Sequence, residues 1–267
     1  MNTLYVFGQY AWLSMRAQLQ YRSAFLVAAI GQFLSSGVEF FGMWALFDRF
    51  GDLQGWRFAQ VAFFYAVINC IFAVADAVSS GFDQFGNVYV KTGEFDRILL
   101  RPRSPILQLA GHELALRRIG RLAQGLIVFI WASVSLQIDW TYTRAALLLW
   151  TCIGGVCFFV ALFILRATLS FWSTETLELM NILSYGGLDA AQYPMSIYGA
   201  AFRKFFTFVV PLACISYFPL VRVLGVEDPL GSSPGFQVLA PGFGVLFLFV
   251  VVRVWQVGIL HYTSTGS

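Results

Sequence analysis

The chain has 267 residues, of which 58% are apolar and only 12% charged. Soluble domains carry about twice that charge and need it to cover their surface, so a soluble globular protein is excluded, as is a disordered chain, which needs few apolar groups and high net charge. A net charge of +3 is too small for a nucleic-acid footprint; the class is a polytopic membrane protein, with 28 Phe, 11 Tyr and 8 Trp to face lipid and its interface.

Residues 1–21 carry Leu4, Tyr5, Phe7, Tyr10, Trp12, Leu13 and Met15 among polar groups and read as a helix lying in the cytoplasmic interface. The first long apolar run follows Arg22 and exceeds the roughly 7–15 residues of a signal-peptide core, so it is expected to stay as a span. With roughly 20 apolar residues needed per crossing, six spans are predicted at 23–47, 58–80, 122–138, 145–165, 205–221 and 241–260. Pro241 suits the first position of the last one, where its missing N–H costs nothing. Unbroken runs such as Ala145-Ala146-Leu147-Leu148-Leu149-Trp150 favour helices over the alternating pattern of a barrel.

With the N-terminus placed inside, six crossings put Arg16, Arg22, Lys91, Arg97, Arg101, Arg103, Arg117, Arg118, Arg121, Arg166, Arg203, Lys204 and Arg253 on the cytoplasmic side. Only Arg49, Arg57, Arg144 and Arg222 fall outside. Basic residues concentrate in cytoplasmic loops, so both termini are expected to be cytoplasmic and the chain multi-pass.

Three stretches outside the spans matter. Residues 81–121 form a long cytoplasmic loop with seven basic residues, Asp83, Glu94, Asp96 and Glu113. Ile106, Leu109, Ala110 and Leu114 recur there at helical spacing, as in short amphipathic helices, and Arg101-Pro102-Arg103-Ser104-Pro105 breaks them. Residues 170–201 are too polar for a plain span, with Glu175, Glu178, Asn181, Asp189 and Gln192. They read as an interfacial or partly re-entrant helix, whose non-helical backbone must be covered by protein. Residues 224–238, the largest extracellular piece, hold Gly231-Ser232-Ser233-Pro234-Gly235, which is turn chemistry.

No phosphate loop, zinc-protease motif or nucleophile elbow occurs, so no catalytic function is expected of this chain. The four cysteines lie in apolar runs and read as small buried hydrophobes. His112 and His261 are far apart, which disfavours a histidine metal site. Glu39 lies in the first span, and Asn69 and Asp76 in the second. Intramembrane polar groups mark substrate paths by default; the other reading is that both acids sit near the interfaces, bonded to neighbouring helices or water.

Several segments in order carry a resemblance: Gly93-Glu94-Phe95-Asp96-Arg97-Ile98-Leu99-Leu100-Arg101-Pro102, then Gln192-Tyr193-Pro194-Met195-Ser196-Ile197-Tyr198, Tyr217-Phe218-Pro219 and Asp228-Pro229-Leu230-Gly231. The series resembles the six-helix permease subunits of bacterial ABC-2 type exporters, in a branch related to drug-resistance and polysaccharide export permeases. The resemblance implies an all-α membrane protein of type V-like architecture, one permease domain over 1–267, with interfacial amphipathic helices beside the spans. It implies a second permease subunit, identical or related, and a separate cytoplasmic ATPase pair that holds ATP and magnesium; no cofactor is implied for this chain itself. The coupling helix of such permeases corresponds to the region of Asp83, Glu94, Asp96, Arg97, Arg101 and Pro102. Its mixed charge suits a polar protein interface; the other reading is an anchor on anionic lipid. Pro211 and Pro219 are candidate hinges of the fifth span; the other reading is a fixed bend with no hinge role. The rivals are an ion-coupled carrier, which shows paired broken helices and mid-membrane charge, and a membrane enzyme or scaffold without an ATPase.

Overall fold

The structure, a computed structural model, describes residues 3–83, 85–112, 115–172 and 180–262. Among these, helices carry nearly all the regular structure, and the one extended contact is a bridge between Leu53 and Trp56. The helices are α1 (Thr3–Gln20), α2 (Arg22–Phe50), α3 (Phe58–Asp83), α4 (Phe95–Leu99), α5 (Pro105–His112), α6 (Ile119–Ser135), α7 (Tyr142–Leu169), α8 (Gly187–Ala191), α9 (Ala200–Lys204), α10 (Leu212–Leu224), α11 (Pro234–Leu239) and α12 (Gly242–His261). Glu113, Leu114, Glu175 and Glu178, singled out in the sequence, lie outside the described residues.

Four helices among the described residues are long and apolar enough to cross a membrane: α2, α3, α7 and α12. The predicted third span is present as α6, shifted three residues toward the N-terminus and, at 17 residues, short for a full crossing by itself. The predicted fifth span, 205–221, is not one straight crossing. It belongs to a helix pair, Ala200–Val209 and Leu212–Leu224, bent by 102°. Apolarity alone cannot see this break; it falls at Val210-Pro211, where proline has no N–H to continue the ladder. Pro211 therefore sits at the bend, while Pro219 lies inside the unbroken α10.

Chain ends of the helices follow local rules. Thr141 caps α7, its hydroxyl accepting from the Arg144 N–H (3.4 Å). Ser233 caps α11 in the same way through Phe236 (3.3 Å), with Pro234 in the first turn. α10 ends at Gly225, whose left-handed φ of +69° suits a residue without a Cβ.

α3 is the central pillar, enclosed by α6 and α7, and α2 packs outside α6. α2 and α6 run parallel, Gly120 against Ala29 and Phe40 near Trp131. A Cβ on Gly120 would lie 1.9 Å from the Ala29 carbonyl oxygen, so the backbones meet only because that residue has no side chain. α7 and α12 also run parallel and touch backbone to backbone: a Cβ on Gly244 would lie 2.1 Å from the Gly154 carbonyl oxygen.

The bundle has a basic end, with Arg22, Arg118, Arg166 and His261, and an opposite end, with Arg49, Arg57, Arg144 and Arg222. Residues 180–196 run from the bundle interior to the opposite end. Trp172 sits against His261 (ring centroids 5.5 Å), Tyr185 packs on Phe72 and Phe163 inside the bundle, and Ser196 accepts a hydrogen bond from Trp56 Nε1 (2.9 Å) at the opposite end. Of the stretch 170–201, expected to be interfacial or partly re-entrant, the described residues 180–201 include a buried part that rises along α3.

Candidate functional site

Two clusters gather the residues that the sequence marks. The first is a polar belt between α2, α3 and α6. Asp76, fully enclosed, pairs with Arg118 Nε at 2.7 Å, although neither carboxylate oxygen accepts an aligned hydrogen bond. Arg118 Nη1 also donates to Gln32 of α2 (3.1 Å). Arg121 is 8% exposed, 3.9 Å from Glu39 through Nη2 and 5.4 Å over the ring of Phe72. Its Nε and Nη1 have no hydrogen-bond acceptor. Tyr65 donates to the Ser36 carbonyl (2.7 Å) and lies 3.3 Å from Gln124.

This belt joins three helices through charge inside an apolar bundle, where an ion pair is poorly screened and an unpaired partner is costly. Asp76 and Asn69 are both closed off by this chain, and Asn69 spends its amide N–H on the Tyr65 carbonyl one turn back (2.9 Å). Glu39 differs: its side chain is 44% exposed on the flank of α2. The three path candidates are therefore not equivalent, and the two arginines that organise them carried no such role in the sequence. Their only signal was position: Arg118 and Arg121 stand three apart at the start of an apolar run, on one face of the coming helix.

The second cluster is at the basic end. Asp83 closes α3 by pairing with Arg166 of α7 (2.7 Å), an ion pair that ties two long helices together. Beyond it, the remaining coupling candidates lie on α4 (Asp96 and Arg97) and on its flanks (Glu94, Arg101 and Pro102). Glu94, Arg97, Arg101 and Pro102 are exposed and Asp96 is half-buried. Phe95, between two acids, turns inward and is fully buried. Its ring meets Phe85 (4.9 Å), Tyr262 (5.1 Å), Phe171 (5.6 Å) and Trp255 (6.2 Å), mostly edge to face. These partners come from the ends of α7 and α12 and the helical turn after α3. α5 completes the mount: Gln108 Nε2 donates to the Ile98 and Arg103 carbonyls (3.2 Å each). The proline-rich break 101–105 thus folds α5 back onto the end of α4. Sequence reading missed the clamp of Phe85, Phe95, Phe171, Trp255 and Tyr262. Phe95 alone gave a hint, as an aromatic set into an otherwise charged stretch.

A bundle of long apolar helices, collared at one end by an aromatic-anchored charged helix, is a multi-pass α-helical membrane protein. Residues 33–266 match the family described as ABC-2 family transporter protein, and the chain belongs to that family: it is a membrane permease of the ABC transporter type. No curated protein and no solved structure matches it.

Proposed function

We propose that this chain is the membrane subunit of an ATP-driven ABC-2 exporter, pairing with a second permease and docking through α4 onto a separate cytoplasmic ATPase pair. The observation that carries the reading is the construction of α4 and its flanks: charge faces outward on Glu94, Arg97 and Arg101, while Phe95 is rooted among aromatics from the ends of three long helices. Such a helix is a lever. Displacement of its charged face by a partner is transmitted through packed rings, which deform little, to α3, α7 and α12.

In this reading the chain crosses six times. α2, α3, α6, α7 and α12 supply five crossings, and residues 180–196, which run past Tyr185 inside the bundle to Ser196 at the opposite end, belong to the fifth in chain order. The bent pair around Pro211 then dips in from the external side and returns. ATP and magnesium belong to the ATPase, whose closure moves the α4 levers and opens a path between the permeases to the outside. Glu39, the exposed member of the polar belt, would face that path.

Affinity capture of the full chain from native membranes in mild detergent tests the reading. Co-recovery of a P-loop ATPase is expected; capture of the intact permease without any such ATPase would contradict it.

A further inference from the structure

We propose that the opposite end of the bundle holds a binding site for a membrane lipid with an anionic phosphate headgroup, the headgroup held by Arg144 and Arg222 and the hydrocarbon by Leu147, Trp150 and Val238. The proposal stands apart from the ATPase reading, since it concerns the other end of the molecule.

A cavity of about 740 Å³ opens between the first turns of α7 and the junction of α10 with α11. That volume lies within the range of small-ligand sites. Both Arg144 and Arg222 line it, two of the four basic residues at this end, which also carries Asp48, Asp52, Asp139, Glu227 and Asp228. Among the described residues neither has a carboxylate within 4.0 Å. The acids nearest Arg222 in sequence, Glu227 and Asp228, line an adjoining cavity that shares Arg222. Asp228 is already engaged, accepting from Tyr217 (2.6 Å), the Leu230 N–H (2.9 Å) and Ser232.

Arg144 is held in place. Its Nη1 donates to the Asp139 carbonyl (3.1 Å), and its Nη2 rests against Gly225, where a Cβ would come within 2.7 Å. Two guanidinium groups on one cavity repel each other, and an anion between them relieves that repulsion while using their spare donors. Phosphate is the group whose geometry suits paired arginines best.

The rest of the wall excludes a free ion as the intended occupant. Ala146, Leu147 and Val238 are aliphatic, and Trp150 remains 36% exposed. Tryptophan is favoured at headgroup depth, where its ring meets chain and headgroup together. Charge at one part of the cavity and apolar wall at the other match an amphiphile, and basic pockets between spanning helices hold anionic headgroups.

The test is native mass spectrometry, with thermal stability alongside, on the full chain titrated with phosphatidylglycerol, phosphatidylcholine of the same chains, or inorganic phosphate. Phosphatidylglycerol is expected to bind about tenfold more tightly than phosphatidylcholine. Arg144→Gln with Arg222→Gln should abolish that preference, and Trp150→Ala should weaken both lipids. Arg222→Gln alone, at an exposed side chain, keeps the test open if the double variant does not fold, and Arg253→Gln at the basic end controls for loss of charge. Equal binding of the two lipids, an unchanged preference in the arginine variants, or full stabilisation by inorganic phosphate alone would overturn the proposal.

Discussion

α2 and α3 are both long apolar helices, yet α2 buries three of its 29 residues and α3 eighteen of its 26. Along α2, Val27, Ile30, Leu34, Val38 and Phe41 recur at helical spacing on an exposed flank that no other described residues cover. Along α3, even Asn69 and Asp76 are enclosed. Apolarity thus identifies a helix that belongs in lipid without saying where in the bundle it stands. Position is set by what each helix can tolerate on its remaining faces. α3 accepts neighbours all round because α6, α7 and the 180–191 stretch supply matching partners, including a cation for its buried acid. α2 touches the bundle through one stripe, and its outer flank is left for lipid or, in the proposed assembly, for a second permease.

The sharpest break in that comparison is Asp76→Ala. It leaves Arg118 charged and enclosed, and removing one partner of a buried pair costs about 3–5 kcal/mol. Thermal unfolding in detergent should show a large loss, and a second change, Arg118→Met, should restore most of it. Gly120→Ala acts on the seam between the peripheral helix and the core. Its methyl would displace the Ala29 backbone, and overpacking of this kind costs about 1–3 kcal/mol; cross-linking between α2 and α6 should fall. Asp228 offers a polar contact outside the spans. Burial raises its pKa, but hydrogen bonds from Ser232, Tyr217 and the backbone outweigh this and hold it below the usual carboxylate range. A depressed folded value stabilises the turn above about pH 4 and is lost as pH falls through that lower value. Protection of the Ser232 amide in hydrogen exchange should therefore persist at pH 5 and fail only in stronger acid, while Asp228→Asn should lose it at both. Leu34→Ala, on the uncovered flank of α2, should move stability of the isolated chain by under about 0.5 kcal/mol.

The parts of the fold governed by neighbours in sequence were legible. The runs that became α2, α3, α7 and α12 were placed within a few residues of their bounds, as were the turn chemistry before α11 and the proline at the head of α12. The break at 101–105 was legible for the same reason. What was not legible depended on distant partners. The Asp76–Arg118 pair spans two helices, and nothing in either segment names the other. The stretch 205–221 is apolar enough to cross, and only the bend at Val210-Pro211 sends it back. In its place the more polar 180–191 stretch enters the bundle, which it can do because Ser184 bonds its own backbone (2.9 Å to the Met180 carbonyl) and Tyr185 packs edge to face against Phe72 and Phe163. The charged face of α4 was visible; its aromatic root was not, since its members are scattered from Phe85 to Tyr262.

The coupling role of α4 is the central claim, and Arg97→Glu tests it most directly. The side chain is exposed, so the charge reversal leaves the fold intact. ATPase activity of the reconstituted transporter should lose its dependence on the permease while the variant inserts and unfolds like the parent. Unchanged ATPase stimulation and unchanged transport in that variant would contradict the account.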